Sequence, residues 1–303
     1  MNNIDVAIIG GGPAGLQAAL VLARTRKAVT VFDAPSPPRN NASHGVHNFL
    51  GLDGLVPQEI RDVAWSQIDA YDSAELVQQM VNTIERASNG DLIVATTEGS
   101  WQAKHVILTC GYRDVLPEIE GFASCWANTI IPCPFCDGFE NRDRIWGIVP
   151  TMEMELEAFP QMVRNWTDRR LVIAPRALSV SDSHRTMLRE IDVALHEGDI
   201  VNIAHTEGKI DGVTLDSGEV VDVGTLLWTP PEEPAPLITN LVGSLGLAVD
   251  EYGYVAADES QRTNVERLWA AGDVQGWTGA IESANAGGMA ATMLVHGWFG
   301  HAQ

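Results

Sequence analysis

The sequence predicts an α/β protein with two βαβ units of the dinucleotide-binding kind, and three stretches predict it. DVAIIGGGPAGLQAALVLARTRKAVTVFD, residues 5–33, reads as strand, glycine turn, helix and strand. RIWGIV, EMELEAFPQMVRNW and RRLVIAP, residues 144–175, repeat that order near the middle of the chain. RLWAAGDVQGWTGAIESANAGGMAATMLVHGWFG, residues 267–300, runs a strand into Gly272-Asp273 and then an Ala/Gly/Met-rich helix.

In the first stretch the β-branched run Val6 to Ile9 suits a strand buried on both faces. Gly10, Gly12 and Gly15 form GxGxxG at the turn, with Pro13 and Ala14 between them, and Leu16 to Ala23 continues as a helix. AVTVFD closes the unit, and Asp33 stands eighteen residues beyond Gly15, where an acid reaches a ribose hydroxyl. GxGxxG alone is weak, but strand, helix, second strand and acid are all in place here. The glycines let the backbone approach a pyrophosphate seated at the helix N-terminus. FAD and NAD both satisfy this motif.

Residues 35–58 read as loop, PQEIRDVAWSQIDAY as helix, and DLIVATTEG and WQAKHVILTCG as hairpin strands. In the second unit the strand is followed by Val149, Pro150, Thr151 and Met152, without GxGxxG, and the next strand ends in Ala174-Pro175-Arg176 with no arginine cluster. DIVNIAH, GVTLDSGEVV and TLLWTP read as further short strands.

A length of 303 residues allows two domains with sizeable cores, and 45% hydrophobic with 19% charged residues describes a globular chain. Apolar runs fall short of the roughly 20 residues a membrane span needs. MNNIDVAIIGGG has no basic signal-peptide start, so a cytoplasmic location is expected. A net charge of -21 argues against nucleic acid and anionic membrane as partners. Four cysteines are too few for a disulfide framework, and one CxxC without further ligands is a poor zinc site, so no metal is expected. Cys110 and Cys125 read as buried packing residues. Cys133-Pro134-Phe135-Cys136, followed by Asp137 and Gly138, reads instead as a redox dithiol, because a thiolate at a helix start is stabilised and nucleophilic.

GGGPAG with its distal acid, CPFCDG and AAGDV, in that order, resemble the low-molecular-weight thioredoxin reductase family of FAD-dependent pyridine nucleotide–disulfide oxidoreductases. The resemblance spans nearly the whole chain, and HVILTCGYRDVLPEIEG and VHNFLG share in it. It implies two Rossmann-like (three-layer ββα) domains, the second inserted in the first: an FAD domain of residues 1–117 and 246–303, and a CxxC domain of 118–245. It also implies that Asn48 lies near the isoalloxazine or ribityl chain, and that Asp273, after Gly272, holds a ribityl hydroxyl. By the same resemblance the Ala280–Ile281 backbone would face the flavin pyrimidine, Cys136 would be the flavin-proximal thiol, Cys133 the substrate-exchanging one and Asp137 the acid/base group. Members are usually homodimers; Trp298 and Phe299 are candidates for such an interface or for a substrate pocket.

The chain departs from the family where NADPH binds, since glycines and arginines are both missing there and Pro150 removes a backbone N–H. RNNASHGVHNFLGLDG and CPFCDGFE are similar to gliotoxin- and holomycin-type dithiol oxidases, which pass electrons from a small dithiol to oxygen. There a histidine often follows the CxxC, where this chain has Asp137. His44 and His47 are candidates either for deprotonating a substrate thiol or for bonding loop backbone. The resulting expectation is a CxxC relay between a small dithiol and FAD. The alternative is reduction of a thioredoxin-like protein, with electrons from ferredoxin or from NADPH bound by the variant loop. A catalytically idle binding module is disfavoured by the intact CxxCDG.

Overall fold

The computed structural model describes residues 2–37, 39 and 41–300, the last two by their backbone. The chain forms two compact units, one of Met1–Asn41, Val56–Arg113 and Glu232–Gln303, the other of Ala42–Leu55 and Asp114–Pro231.

The first unit opens with β1 (Asn2–Ile9), α1 (Pro13–Arg24), β2 (Val29–Phe32), α2 (Pro57–Ile68), β3 (Ala74–Val77), β4 (Thr83–Arg86), β5 (Leu92–Ala95) and β6 (Ser100–Leu108). β3, β2, β1 and β6 are parallel neighbours, while β6, β5 and β4 continue as an antiparallel meander. α1 starts on Pro13 at its first position, where a missing N–H costs nothing, and carries Arg24 in its last turn. Alternation along β1 sends Val6 and Ile8 to one face with Ala18 and Leu22 of α1, and Ala7 and Ile9 to the other.

The chain continues through β7 (Tyr112–Asp114), α3 (Phe122–Cys125), β8 (Ile130–Ile131), α4 (Pro134–Asp137), β9 (Trp146–Ile148), α5 (Glu153–Met162), β10 (Arg170–Ala174), α6 (Asp182–Glu190) and β11 (Ala194–Glu197). It then forms β12 (Ile200–Thr206), β13 (Lys209–Leu215), β14 (Val220–Val221) and β15 (Thr225–Leu227). β11, β10, β9, β15 and β8 make a parallel sheet, and β12, β13 and β14 an antiparallel one. Phe122, Ile173, Ile203 and Val213 fill the space between the two sheets. Trp146, Ile148, Leu156 and Leu188 form the other face of the parallel sheet, under α5 and α6. This is the three-layer ββα arrangement.

The first unit is completed by β16 (Glu232–Pro234), α7 (Pro236–Leu245), β17 (Leu268–Ala270) and α8 (Ala280–Gly300). β17 adds in parallel to the second half of β6, whose first half pairs with β5. α7 inserts Leu237, Ile238 and Leu241 into the first unit's core, and residues 232–245 therefore pack with that unit. The division observed here runs at 113/114 and 231/232, where the sequence suggested 117/118 and 245/246. Three helices have no counterpart in the sequence reading: the single turn α3, α6 and α7. α7 is bounded by Pro236 at its start and a left-handed Gly246 at its end, and α6 is capped by Ser181, whose hydroxyl accepts from the His184 N–H. Phe299's side chain lies outside the described part of the structure. Among the described residues, no helix is long and apolar enough to cross a membrane.

Candidate redox site

In the first unit the register aligns Phe32, Ile9, Leu108 and Ala270 across β2, β1, β6 and β17. All four strands are parallel and end at one level, so the segments after them share one edge of the sheet. Gly10–Gly15 follows β1, Asp33 follows β2, Thr109 follows β6 and Gly272-Asp273 follows β17. Carboxyl edges of open parallel sheets are where dinucleotides bind.

The turn after β1 fits such a ligand. The Thr109 hydroxyl donates to the carbonyls of Ile9 and Gly10, fixing them from behind. Gly12 caps α1 without a side-chain hydrogen bond, and the first turn carries no acid. That leaves a helix N-terminus that favours an anion. A Cβ on Gly15 would come within 1.9 Å of the Gly10 carbonyl oxygen, so only glycine allows this turn to close. Asp33 accepts from the Gly11 N–H at 2.9 Å and from Arg61 on its other oxygen. Asp273 accepts from Thr278 at 2.8 Å, Ser283 at 3.0 Å and Arg39 at 3.1 Å. Ala280 and Ile281 begin α8. An adenine dinucleotide with a pyrophosphate and a polyhydroxyl chain, as FAD has, is chemically matched by this donor and acceptor set.

In the second unit the same geometry recurs: Ile131, Leu227, Ile148 and Val172 are level across β8, β15, β9 and β10. Cys133 therefore stands just past the carboxyl edge of its own sheet, as the N-cap of α4. Pro134 starts the turn, and the N–H groups of Cys136 and Asp137 return to the Cys133 carbonyl. Asn141, buried, ties the turn down by donating to the carbonyls of Asp137 at 3.1 Å and Asn128 at 3.0 Å, while accepting from Thr225. A Cβ on Gly138 would meet the Pro134 carbonyl at 2.2 Å and the Trp166 indole at 2.8 Å, which accounts for the glycine behind the motif.

The Cys136 thiol donates to Cys133 Sγ and depresses the Cys133 pKa; the N–H groups of Cys136 and Phe135 add to this, against opposition from burial and from Asp137. Asp137 moves the other way. Burial, then the charge of Glu140, raises it to about 6, with His47 pulling back. The loop 42–55 supplies that histidine. His47 Nε2 lies 3.6 Å from Glu140 and Nδ1 3.7 Å from Asp53, so carboxylates are its neighbours. Asn48, at a left-handed φ of 62°, donates its side-chain N–H to the Phe135 carbonyl at 2.7 Å. His44 is exposed. The remaining thiols are unreactive in character: burial pushes Cys110 up to about 12 and raises Cys125.

The turn after β9 contrasts with that after β1. Here Glu155 Oε2 accepts from the Thr151 N–H at 2.6 Å and the Thr151 hydroxyl at 2.9 Å, and Glu155 is itself buried. Glu153 adds a second acid in the first turn. The chain's own carboxylate thus holds the anion-favouring position that α1 leaves open. Arg176, the cation after β10, is engaged by Asp216 through two nitrogens. Sequence reasoning missed Glu155, Asn141 and Arg61. Of these, only Glu155 left a local signal, an acid at the third helical position.

The pyridine nucleotide-disulphide oxidoreductase family model matches residues 4–144 and 169–291 and passes over 145–168, the segment holding β9, this turn and α5. A protein named thioredoxin reductase tcpT, from Claviceps purpurea, is 28% identical over 97% of this chain and 95% of its own. Among solved structures, HlmI is 30% identical with a TM-score of 0.88, covering 98% of this chain and 93% of its own. Bacillus anthracis TrxB, described as a thioredoxin reductase, is 25% identical with a TM-score of 0.91, covering 99% of this chain and 100% of its own. With two Rossmann-type units and a match of that extent, the chain belongs to the pyridine nucleotide-disulphide oxidoreductase family, as an FAD-dependent oxidoreductase acting on sulfur groups.

Proposed function

We propose that the chain oxidises a small dithiol through Cys133 and Cys136, with FAD passing the electrons to oxygen or another acceptor. The observation that carries this direction is Glu155 in the β9–α5 turn, because an internal carboxylate there competes with the phosphates of NADPH. Phe135, Phe139 and Leu50 are exposed apolar side chains on the dithiol-bearing unit, which suits an apolar small molecule.

In this reading one substrate thiolate attacks Sγ of Cys133 in the Cys133–Cys136 disulfide. The S–S bond breaks, Cys136 leaves as a thiolate, and protonated Asp137 supplies its proton. The second substrate thiolate then attacks the substrate sulfur of the mixed disulfide and releases Cys133. Cys133 departs easily because the Cys136 thiol and two backbone N–H groups stabilise its thiolate. Substrate leaves as a disulfide, two electrons poorer, and the protein holds a dithiol. FAD, when bound, supplies the two-electron carrier that reoxidises the pair. Gly10, Gly12, Pro13, Ala14 and Gly15 would hold its pyrophosphate, Asp33 a ribose, and Asp273 the ribityl chain; Ala280, Ile281 and Asn48 would face the ring system. His47 would relay protons to Asp137. A homodimer in the cytoplasm belongs to the same proposal, on the strength of the resemblance.

The reverse direction, reduction of a thioredoxin-like disulfide, is favoured by the name of the Claviceps relative and needs a different donor, ferredoxin or NADPH. Anaerobic mixing of the FAD-loaded chain with NADPH, NADH and a small dithiol separates the two. Bleaching of the flavin by the dithiol alone, lost in Cys133→Ser and in Cys136→Ser with FAD still bound, is the expected result. Rapid bleaching by NADPH would transfer the assignment to the reductase.

A further inference from the structure

In the second unit, the loop 42–55 is folded so that His47 and Asn48 meet the dithiol turn. An antiparallel bridge closes it: the Val46 N–H donates to the Leu55 carbonyl at 2.8 Å and the Gly54 N–H to the Val46 carbonyl at 2.9 Å. A Cβ on Gly45 would come within 2.9 Å of the Gly54 carbonyl oxygen, so the two arms are in contact. The Asn48 side chain donates to the Phe135 carbonyl at 2.7 Å, and its backbone N–H to Asp53 Oδ1 at 2.8 Å. The other Asp53 oxygen lies 3.7 Å from His47 Nδ1, and His47 Nε2 lies 3.6 Å from Glu140. Among the described residues, His47 is the one basic side chain within ion-pair distance of Glu140.

The Asn141 N–H returns to the Asp137 carbonyl at 3.3 Å, so helical winding continues past α4 and Glu140 shares a side with Asp137. Like charges at that spacing oppose each other. An exposed carboxylate beside a half-buried one works against the fold, and a separate segment brings an imidazole to the same place. After burial, Glu140 raises the Asp137 carboxyl and His47 lowers it, while Asp137 in turn acts on Cys133. We propose that Glu140 is a positioning residue: its carboxylate, anchored through His47 to the loop, controls the proton that Asp137 delivers to the sulfur pair. The inference rests on the dithiol relay proposed above. When the disulfide opens, Cys136 takes the bonding electrons and the Asp137 proton. The carboxylate left on Asp137 then lies beside that of Glu140, and their repulsion favours reprotonation before the next turnover.

The test follows the infrared band of protonated carboxyl in the oxidised, FAD-loaded full chain, taking as Asp137's own the part that Asp137→Asn removes. That band should titrate at about 6 in the parent. It should move down by at least about 0.5 in pH in Glu140→Gln, move up in His47→Gln, and stay within about 0.2 of the parent in Glu140→Asp. Opposite displacements from two partners in contact are not what a merely structural role produces. Dithiol-driven bleaching at about pH 7 should slow about threefold in Glu140→Gln and recover in Glu140→Asp. An undisplaced band in Glu140→Gln, or a displaced band with unchanged bleaching, would overturn the proposal. A parent that the dithiol does not bleach would remove the oxidase reading instead, and the band would still decide whether Glu140 governs Asp137.

Discussion

Asp137 shows how one side chain's environment fits it for chemistry at a cost to the fold. Burial and the neighbouring Glu140 raise its carboxyl from 3.8 to about 6. A group in that range is partly protonated near neutrality and can give or take a proton as sulfur leaves or attacks. Asp137→Asn is expected to cut dithiol-driven turnover by about a hundredfold and to remove the limb of the pH–rate profile near 6. The same shift has a stability consequence with a definite sign. A carboxyl whose value is raised on folding favours the fold while protonated, and that contribution is lost as pH rises through about 6. Urea melts should therefore find Asp137→Asn more stable than the parent at about pH 8 and little different below about pH 4. No stability gain at the higher pH would mean that the carboxylate is better solvated than its surroundings suggest. Cys133, Cys136 and Asp137 were legible in the sequence because they are contiguous, and contiguity puts them on one turn. Asn141 and Arg61 were not, since their bonds to Thr225 and Asp33 depend on how distant strands and helices assemble.

At the scale of elements, the two βαβ units differ at a single kind of place. α1 presents an uncapped N-terminus behind a glycine turn, and α5 presents one already filled by Glu155. Glycine spacing announced the first in the sequence, and its absence announced that the second differs, but not what replaces it. Glu155→Ala tests what the carboxylate does there. Losing it leaves the Thr151 N–H without its acceptor, which costs about 1–3 kcal/mol if the group stays dry. Denaturation midpoints should fall accordingly. Flavin bleaching by NADPH should at the same time become faster than in the parent, by about tenfold for each 1.4 kcal/mol of repulsion removed. Rates equal in the two proteins would show that Pro150 and the missing arginine cluster after β10, not Glu155, govern exclusion. Element existence was otherwise well marked where a run is long or attached to a motif, as in α1, β6 and α8. α6 and α7 went unread although both are amphipathic, because each is short, at nine and ten residues, and α6 has few apolar residues to mark its face.

For the whole molecule, the excess of 40 acidic over 19 basic residues governs which partner can approach. Like-charged proteins repel across a Debye length of about 30 Å at 0.01 M salt, shrinking to about 3 Å at 1 M. An acidic protein substrate or donor would thus meet this chain slowly in dilute buffer and faster as salt rises. A neutral small dithiol feels no such barrier. If the chain acts on small dithiols, turnover with dithiothreitol should change by less than about twofold between about 0.01 and 0.5 M salt. Activity toward an acidic thioredoxin-like protein should instead be low and climb several-fold over the same range. A protein substrate used rapidly at low salt, and more slowly as salt is added, would require a basic docking patch strong enough to overcome the net charge. Three of the chain's arginines are already engaged by carboxylates, Arg113 by Glu233, Arg176 by Asp216 and Arg185 by Glu197. The salt dependence therefore distinguishes a small dithiol from an acidic protein as the substrate by electrostatics alone, independently of which way the dithiol pair is found to run.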